Sequence, residues 1–342
     1  MAKFLVSASP HITGKLTTRR LMCDVLIALT PAAVCSVLFF GWMSLAVIAV
    51  CMAACFVSEL LYGMVRHRKF SMDGLKESTA WDCSCLVTGL LLALNLSVTI
   101  PLWAAAVASV FAVVIVKMLF GGIGKNIFNP ALMGRIFLFI ALGRLFATEA
   151  ANNIIGLAED VSGATWLLNR PYDPTGFSLL NMFIGNTGAA AIGETSVIAI
   201  LLGFAYLSVR KVIDFRLPLL IIAGTAAFAF LFDCLVAQRA VGEWGYTVAA
   251  HIMSGGLMLG AVFMATDYST SPNTMIGTII YGLGIAFLVV LIRVFSESLP
   301  EGVSFAIVIM NAVSVILDRF IRPRFFGKGK VKKAKALKEA RV

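Results

Sequence analysis

Two stretches of this sequence carry polar chemistry that apolar packing does not require. Asp160-Val161-Ser162-Gly163-Ala164-Thr165 sets a threonine hydroxyl among small neighbours, where a modifying enzyme could reach its oxygen. The same residues read equally as a Ser162-Gly163 turn with Thr165 capping the next segment. The second stretch is Gly121-Gly122-Ile123-Gly124-Lys125-Asn126-Ile127-Phe128-Asn129-Pro130-Ala131. Its glycines permit close backbone approach to a ligand, and Pro130 suits the first position of a helix whose free N–H groups can face that ligand. Asn126 and Asn129 each bring two donors and an acceptor. A comparable interruption, Thr266-Asp267-Tyr268-Ser269-Thr270-Ser271-Pro272-Asn273, lies in the second half of the chain. Arg135 follows Pro130 inside an apolar run. A cation at that depth marks a functional site by default, and snorkelling to the cytoplasmic interface explains it equally.

The other ionisable groups carry less. Glu59 and Lys117 lie near the ends of apolar runs and read as interfacial anchors. His11, His67 and His251 have no metal spacing; the first two sit in basic segments and His251 reads as a core histidine. Of seven cysteines, Cys23, Cys35, Cys51, Cys55 and Cys234 fall in or beside apolar runs as small hydrophobes. Cys83 and Cys85 form a C-x-C and no C-x-x-C exists, so no metal site is expected.

The elements that must position these residues are membrane helices. Hydrophobic residues make up 60% of the 342 and charged ones 13%, about half the charge of a soluble domain. Mean hydropathy is +0.93. Apolar runs near 20 residues cross a hydrocarbon core of about 30 Å as helices, because lipid leaves no partner for an unpaired backbone group. Such runs fall at 21–40, 43–65, 83–97, 101–120, 127–146, 194–210, 216–236, 247–265, 275–295 and 303–321. The expectation is an all-α polytopic membrane protein of ten helices. It divides into a cytoplasmic segment 1–20, a first five-helix half 21–146, an extracytoplasmic loop 147–193, a second half 194–321 and a basic tail 322–342.

The net charge of +10 is segregated rather than spread. Lys15, Arg19, Arg20, Arg66, Arg68, Lys69, Lys125, Arg210, Lys211 and the stretch Arg319 to Lys338 fall on one side, which the positive-inside rule makes cytoplasmic. Both termini belong there, and the distribution argues against nucleic acid as a partner. The loop 147–193, with Glu149, Glu159, Asp160 and Asp173, faces outward. The polar, basic first twenty residues show no cleavable signal peptide. Five helices on each side of that loop make any internal repeat an inverted one. Val87-Thr88-Gly89-Leu90-Leu91-Leu92 and Met253-Ser254-Gly255-Gly256-Leu257-Met258 echo each other weakly. Inverted repeats place binding sites near the midplane, at re-entrant or broken helices.

A family resemblance runs along almost the whole chain. Ser9-Pro10-His11-Ile12, Arg20-Leu21-Met22, Asp24 to Ala32, Val87 to Asn95, Ile192 to Ser196, Met264 to Asp267 and Leu317 to Gly327 resemble, in order, the D subunits of Rnf-type ion-translocating electron transport complexes. Gly124 to Ala131 is similar to the family's G-x-N-x-F-N-P-A pattern. After Met264-Ala265-Thr266 this sequence runs through Asp267 to Tyr268 and Ser269, where the pattern has D-P. The string Asp160–Thr165 resembles the D-x-x-[ST]-G-A-[TS] signature on which a flavin transferase links FMN through its phosphate to threonine.

The resemblance implies covalent FMN on Thr165, with Asp160, Ser162, Gly163 and Ala164 as its recognition motif. It also implies non-covalent riboflavin among the helices, near Gly124, Asn126, Asn129 and Pro130, with Arg135 and Asp267 as further contacts. Implied partners are the A, B, C, E and G subunits of the complex, above all the G subunit, which carries FMN and faces the periplasm, in the bacterial inner membrane. The activity would be electron relay between the two flavins within a ferredoxin:NAD oxidoreductase that moves Na⁺ or H⁺. The B subunit of the sodium-pumping NADH:quinone oxidoreductase shares the signature but carries a longer N-terminal extension. A urea-transporter-like channel and a stand-alone secondary transporter suit five-plus-five repeats but have no use for Asp160–Thr165.

Overall fold

The computed structural model describes residues 17–67, 79–142, 179–185, 191–194, 196–232, 244–295 and 302–321, which form helices and the turns between them, with no strand among them. Helix α1, Thr18–Phe40, starts where Thr17 Oγ1 accepts from the Arg20 N–H at 3.3 Å. Gly41, at φ 71°, ends it, and its N–H returns to Val37 O at 2.8 Å. That tight corner turns the chain into α2, Trp42–His67. A 3₁₀ turn, Thr79–Asp82, precedes α3, Ser84–Leu94. Nearly every residue of α3 is buried, as befits a helix apolar on all faces. Its Gly89 lets α2 pass so closely that a Cβ there would stand 2.8 Å from Met52 Cα.

Helix α4 is α-helical over Leu102–Val110 and widens to a π-helix over Phe111–Met118. The widening shows in Leu119 N–H donating to Val114 O at 3.1 Å and Gly122 N–H to Lys117 O at 3.0 Å. Helix α5, Pro130–Ala141, comes next. A short α6, Leu179–Ile184, then leads to α7, Val197–Val209, and α8, Arg216–Phe232. Helix α9, Trp244–Met253, meets α10, Leu257–Leu259, at a bend of 60° between the two segments, and α10 continues as a π-helix over Gly260–Met264. The chain closes with α11, Met275–Phe295, and α12, Val303–Phe320.

Each apolar run read from the sequence contains a helix, with three differences. The expected helix 127–146 begins only at Pro130, because Asn129 caps it. The expected helix 247–265 is broken at Ser254–Gly256, where Gly255 and Gly256 take φ of 62° and 67°. Helix α6 lies within the stretch read as loop. Among the described residues four helices are long and apolar enough to span a membrane, α1, α2, α11 and α12, or five counting the bent pair. Large apolar side chains such as Val34, Leu38, Leu61, Val65, Ile276 and Ile280 face outward, as lipid contact requires.

Packing runs in a parallel pattern in the two halves. Helix α2 lies against α3 and α4, while α8 lies against α9 and α11; α1 packs on α7, and α5 on α12. The core runs through α3, the π-helix after α10, and the inner faces of α1, α7 and α12.

Candidate functional site: a cavity between two broken helices

Both π-helical segments end in breaks, and both breaks wall one cavity. From the first come Ile123, Asn126, Asn129, Pro130 and Ala131; from the second, Thr266, Asp267, Tyr268 and Ser269. Helix α3 contributes Ser84, Val87, Thr88 and Leu91, with Lys117 beside them at the end of α4. The space encloses about 720 Å³ counting its open mouth. Its wall is mostly apolar with a few convergent polar groups, as small-molecule sites are. The wall suits a ring system with an apolar face and a polar edge, and isoalloxazine is one. The residues present fit a flavin.

The polar groups differ in how far they are committed. Asn129 caps α5, its Oδ1 accepting from Ala131 N–H at 3.0 Å and Leu132 N–H at 3.4 Å. Its Nδ2 donates across to Met264 O at 3.2 Å, tying the first break to the end of the second π-helix. Asn126 is freer: its Nδ2 donates to Phe128 O at 3.1 Å, leaving the side-chain oxygen and one N–H for the cavity. Asp267 accepts from Ser269 N–H at 3.4 Å and Ser269 Oγ at 3.1 Å. Tyr268, which interrupts the expected D-P, donates its hydroxyl to Val212 O and so anchors the second break to the turn after α7.

Lys117 and Glu59 are not interfacial anchors. Lys117 Nζ donates to Glu59 Oε2 at 2.6 Å and to Ser84 Oγ at 2.7 Å, and Thr79 Oγ1 donates to Glu59 Oε1 at 2.8 Å. The two side chains are 3% and 1% exposed. One acid and one base, each in an otherwise apolar run, were the available signal. Arg293, which no sequence pattern singles out, is wholly buried and donates to the carbonyls of His251, Ser254 and Gly255. These are carbonyls freed by the α9 break, and the negative end of α9 favours a cation there. Asp24 on α1 pairs with Arg210 at 3.1 Å and accepts from Tyr206 at 2.9 Å.

Other expected site residues fall differently. Arg135 is half-buried and donates to Asn95 Oδ1 at 3.1 Å and Ser304 Oγ at 3.2 Å, outside the cavity wall. Gly124 takes φ of 81° in the first break without walling the cavity. His251 is buried in α9. Asp160, Ser162, Gly163, Ala164 and Thr165 lie outside the described residues, as do His11, Cys234 and the tail 322–342. In that string Glu159 holds the acidic position of the D-x-x-[ST]-G-A-[TS] spacing, and Asp160 stands one residue nearer the serine.

The comparison with known proteins is decisive at the level of family. The sequence profile of the NQR2, RnfD, RnfE family matches residues 5–327. The chain belongs to that family. Among its relatives is the D subunit of the Na(+)-translocating ferredoxin:NAD(+) oxidoreductase complex of Acetobacterium woodii, 38% identical over 96% of each chain. The D subunit of the proton-translocating ferredoxin:NAD(+) oxidoreductase complex of Clostridium ljungdahlii is 36% identical, covering 95% of this chain and 96% of that one. The D subunit of the ion-translocating oxidoreductase complex of Stutzerimonas stutzeri is 34% identical over 90% and 92%. The chain therefore spans its relatives nearly end to end.

Proposed function

We propose that this chain is the D subunit of an Rnf-type ferredoxin:NAD oxidoreductase, a redox-driven ion pump. In it the protein is the membrane flavoprotein that relays electrons between FMN esterified to Thr165 and riboflavin in the cavity. The observation that carries the reading is the convergence of two broken helices, 135 residues apart at Asn129 and Met264, on one partly polar cavity inside the helical bundle. The matching packing of α2 with α3 and α4 and of α8 with α9 and α11 supports a five-plus-five inverted repeat. On that reading the shorter helices complete ten crossings, with both termini cytoplasmic and the A, B, C, E and G subunits as partners.

Bound flavin supplies reversible one- and two-electron chemistry. The chain's own residues hold and orient it. Asn126 offers its free oxygen and N–H to the polar edge, and Asp267 an acceptor. Val87, Leu91, Pro130 and Phe263 exclude water from the ring face. Asn129 does not need to touch the ligand, because it fixes the two breaks to each other.

The test is denaturing electrophoresis of the purified chain under ultraviolet light. A fluorescent band that disappears in Thr165→Ala and persists in Thr165→Ser is expected, because the hydroxyl forms the ester. Fluorescence surviving in Thr165→Ala would remove that half of the proposal.

A further inference from the structure

Among the described residues that wall the cavity, Lys117 is the one basic side chain and Asp267 the one acidic. Lys117 has three N–H donors, and two are taken by Glu59 at 2.6 Å and Ser84 at 2.7 Å. The third has no acceptor among the described residues, on a side chain that borders the cavity. Glu59 does not wall the cavity; it stands behind the lysine, its second oxygen held by Thr79 at 2.8 Å. The pair is neutral in sum but oriented, with its positive end at the wall and its negative end in the protein. Asp267 accepts from the Ser269 N–H and hydroxyl, so of the two charged groups on the wall Lys117 is the one with an unspent donor. A wall so arranged favours an electron-rich ligand. In a site drier than bulk water that preference is large.

We infer that Lys117 is the cation that stabilises the reduced, negatively charged form of a flavin in this cavity, and that Glu59 is the residue that positions it. This rests on the reading of the cavity as a flavin site. One electron from a donor flavin enters the ring, no proton is taken up, and the single negative charge that appears is offset by the ammonium already beside it. Arg135, bonded to Asn95 and Ser304 outside the wall, is not needed for this.

The experiment is a spectroelectrochemical titration of the non-covalent flavin in the purified complex, with its content measured by acid extraction. Lys117→Met is expected to weaken binding of the reduced form about tenfold relative to the oxidised form, a shift of about 59 mV to more negative potential for a one-electron couple. Glu59→Gln is expected to shift the potential the opposite way, since it removes the negative charge behind the lysine. Lys117→Arg, which keeps the charge, should hold close to the wild-type value. Should Lys117→Met not assemble, the double variant Lys117→Gln with Glu59→Gln leaves no lone buried charge. It is expected to fall negative of wild type by less than the single variant.

Normal flavin content with an unmoved potential in Lys117→Met or the double variant would overturn the inference. So would shifts of the same sign in Lys117→Met and Glu59→Gln. Absence of acid-extractable flavin from the wild-type complex would overturn the flavin reading itself, and the inference with it.

Discussion

Replacing Asn129 with alanine removes two things at once, and the structure sets their size. The side-chain oxygen caps α5 through Ala131 and Leu132, and loss of such a cap costs about 1 kcal/mol. The amide nitrogen is the partner of Met264 O, and a buried carbonyl left unpaired costs about 1–3 kcal/mol. Together Asn129→Ala is expected to destabilise by about 2–4 kcal/mol, or a fall of roughly 3–6 °C in the melting midpoint of a protein this large. Asn129→Ser keeps a capping oxygen but cannot reach Met264, so it should lose only the second part. Thermal melts of the purified chain in detergent, followed by tryptophan fluorescence, read both. The second half of the effect is local to the cavity: both variants should retain less riboflavin at the same occupancy of FMN on Thr165. An alanine variant that melts within a degree of wild type would refute the reasoning, because the tie between the breaks would then carry no energy.

Gly203→Ala should destabilise by about 1–3 kcal/mol, since a Cβ there would lie 2.3 Å from Ala28 O and force α1 and α7 apart. Gly245→Ala, with nothing within 4 Å, is the control and should be silent in the same melt. Arg293→Met leaves three carbonyls at the α9 break without their donor, costs about 1–3 kcal/mol for each that stays unpaired, and is expected to depress assembly of the complex. Arg293→Lys, a point charge without the planar fork, should recover only part of the yield. For topology, a cysteine placed near Ala158 should react with an impermeant reagent from outside intact cells, while cysteines near Lys69 or Lys330 should not. Labelling of the Ala158 position only from the cytoplasmic side would reverse the orientation.

Helices and breaks were legible because they are local. Apolar runs, Pro130 after Asn129, and the polar interruption at Thr266–Asn273 each depend on residues adjacent in sequence. The convergence of the two breaks was expected only from the family resemblance, which set Asp267 beside Asn126 and Asn129, and not from residues adjacent in sequence. It depends on Asn129 meeting Met264 and on Tyr268 meeting Val212, contacts set by how α3, α5 and the second π-helix pack. Glu59 and Lys117 mislead for the same reason. Each alone resembles a charge snorkelling from a helix end, and only packing of α2 against the end of α4 turns them into a buried pair 58 residues apart. Asn129 shows a subtler shift. Its chemistry suits a ligand, yet the helix start beside it claims the oxygen first, leaving Asn126 as the amide with capacity to spare. The break at Gly255-Gly256 reads in the sequence only as half of a weak repeat, because two glycines in an apolar run do not say whether the helix continues. Arg293 supplies the answer by capturing the carbonyls exposed there.

The central claim is that the cavity between the two breaks holds a flavin distinct from the one on Thr165. Thr88→Phe tests it most directly, since Thr88 walls the cavity from α3 and a phenyl ring there occupies ligand space. Acid extraction and chromatography of flavin from the purified complex, alongside gel fluorescence of the denatured chain, give the two cofactors separately. Thr88→Phe is expected to lose its extractable riboflavin while the fluorescent band on the chain remains at wild-type intensity. Full riboflavin content in an assembled Thr88→Phe complex would contradict it and place the second flavin elsewhere.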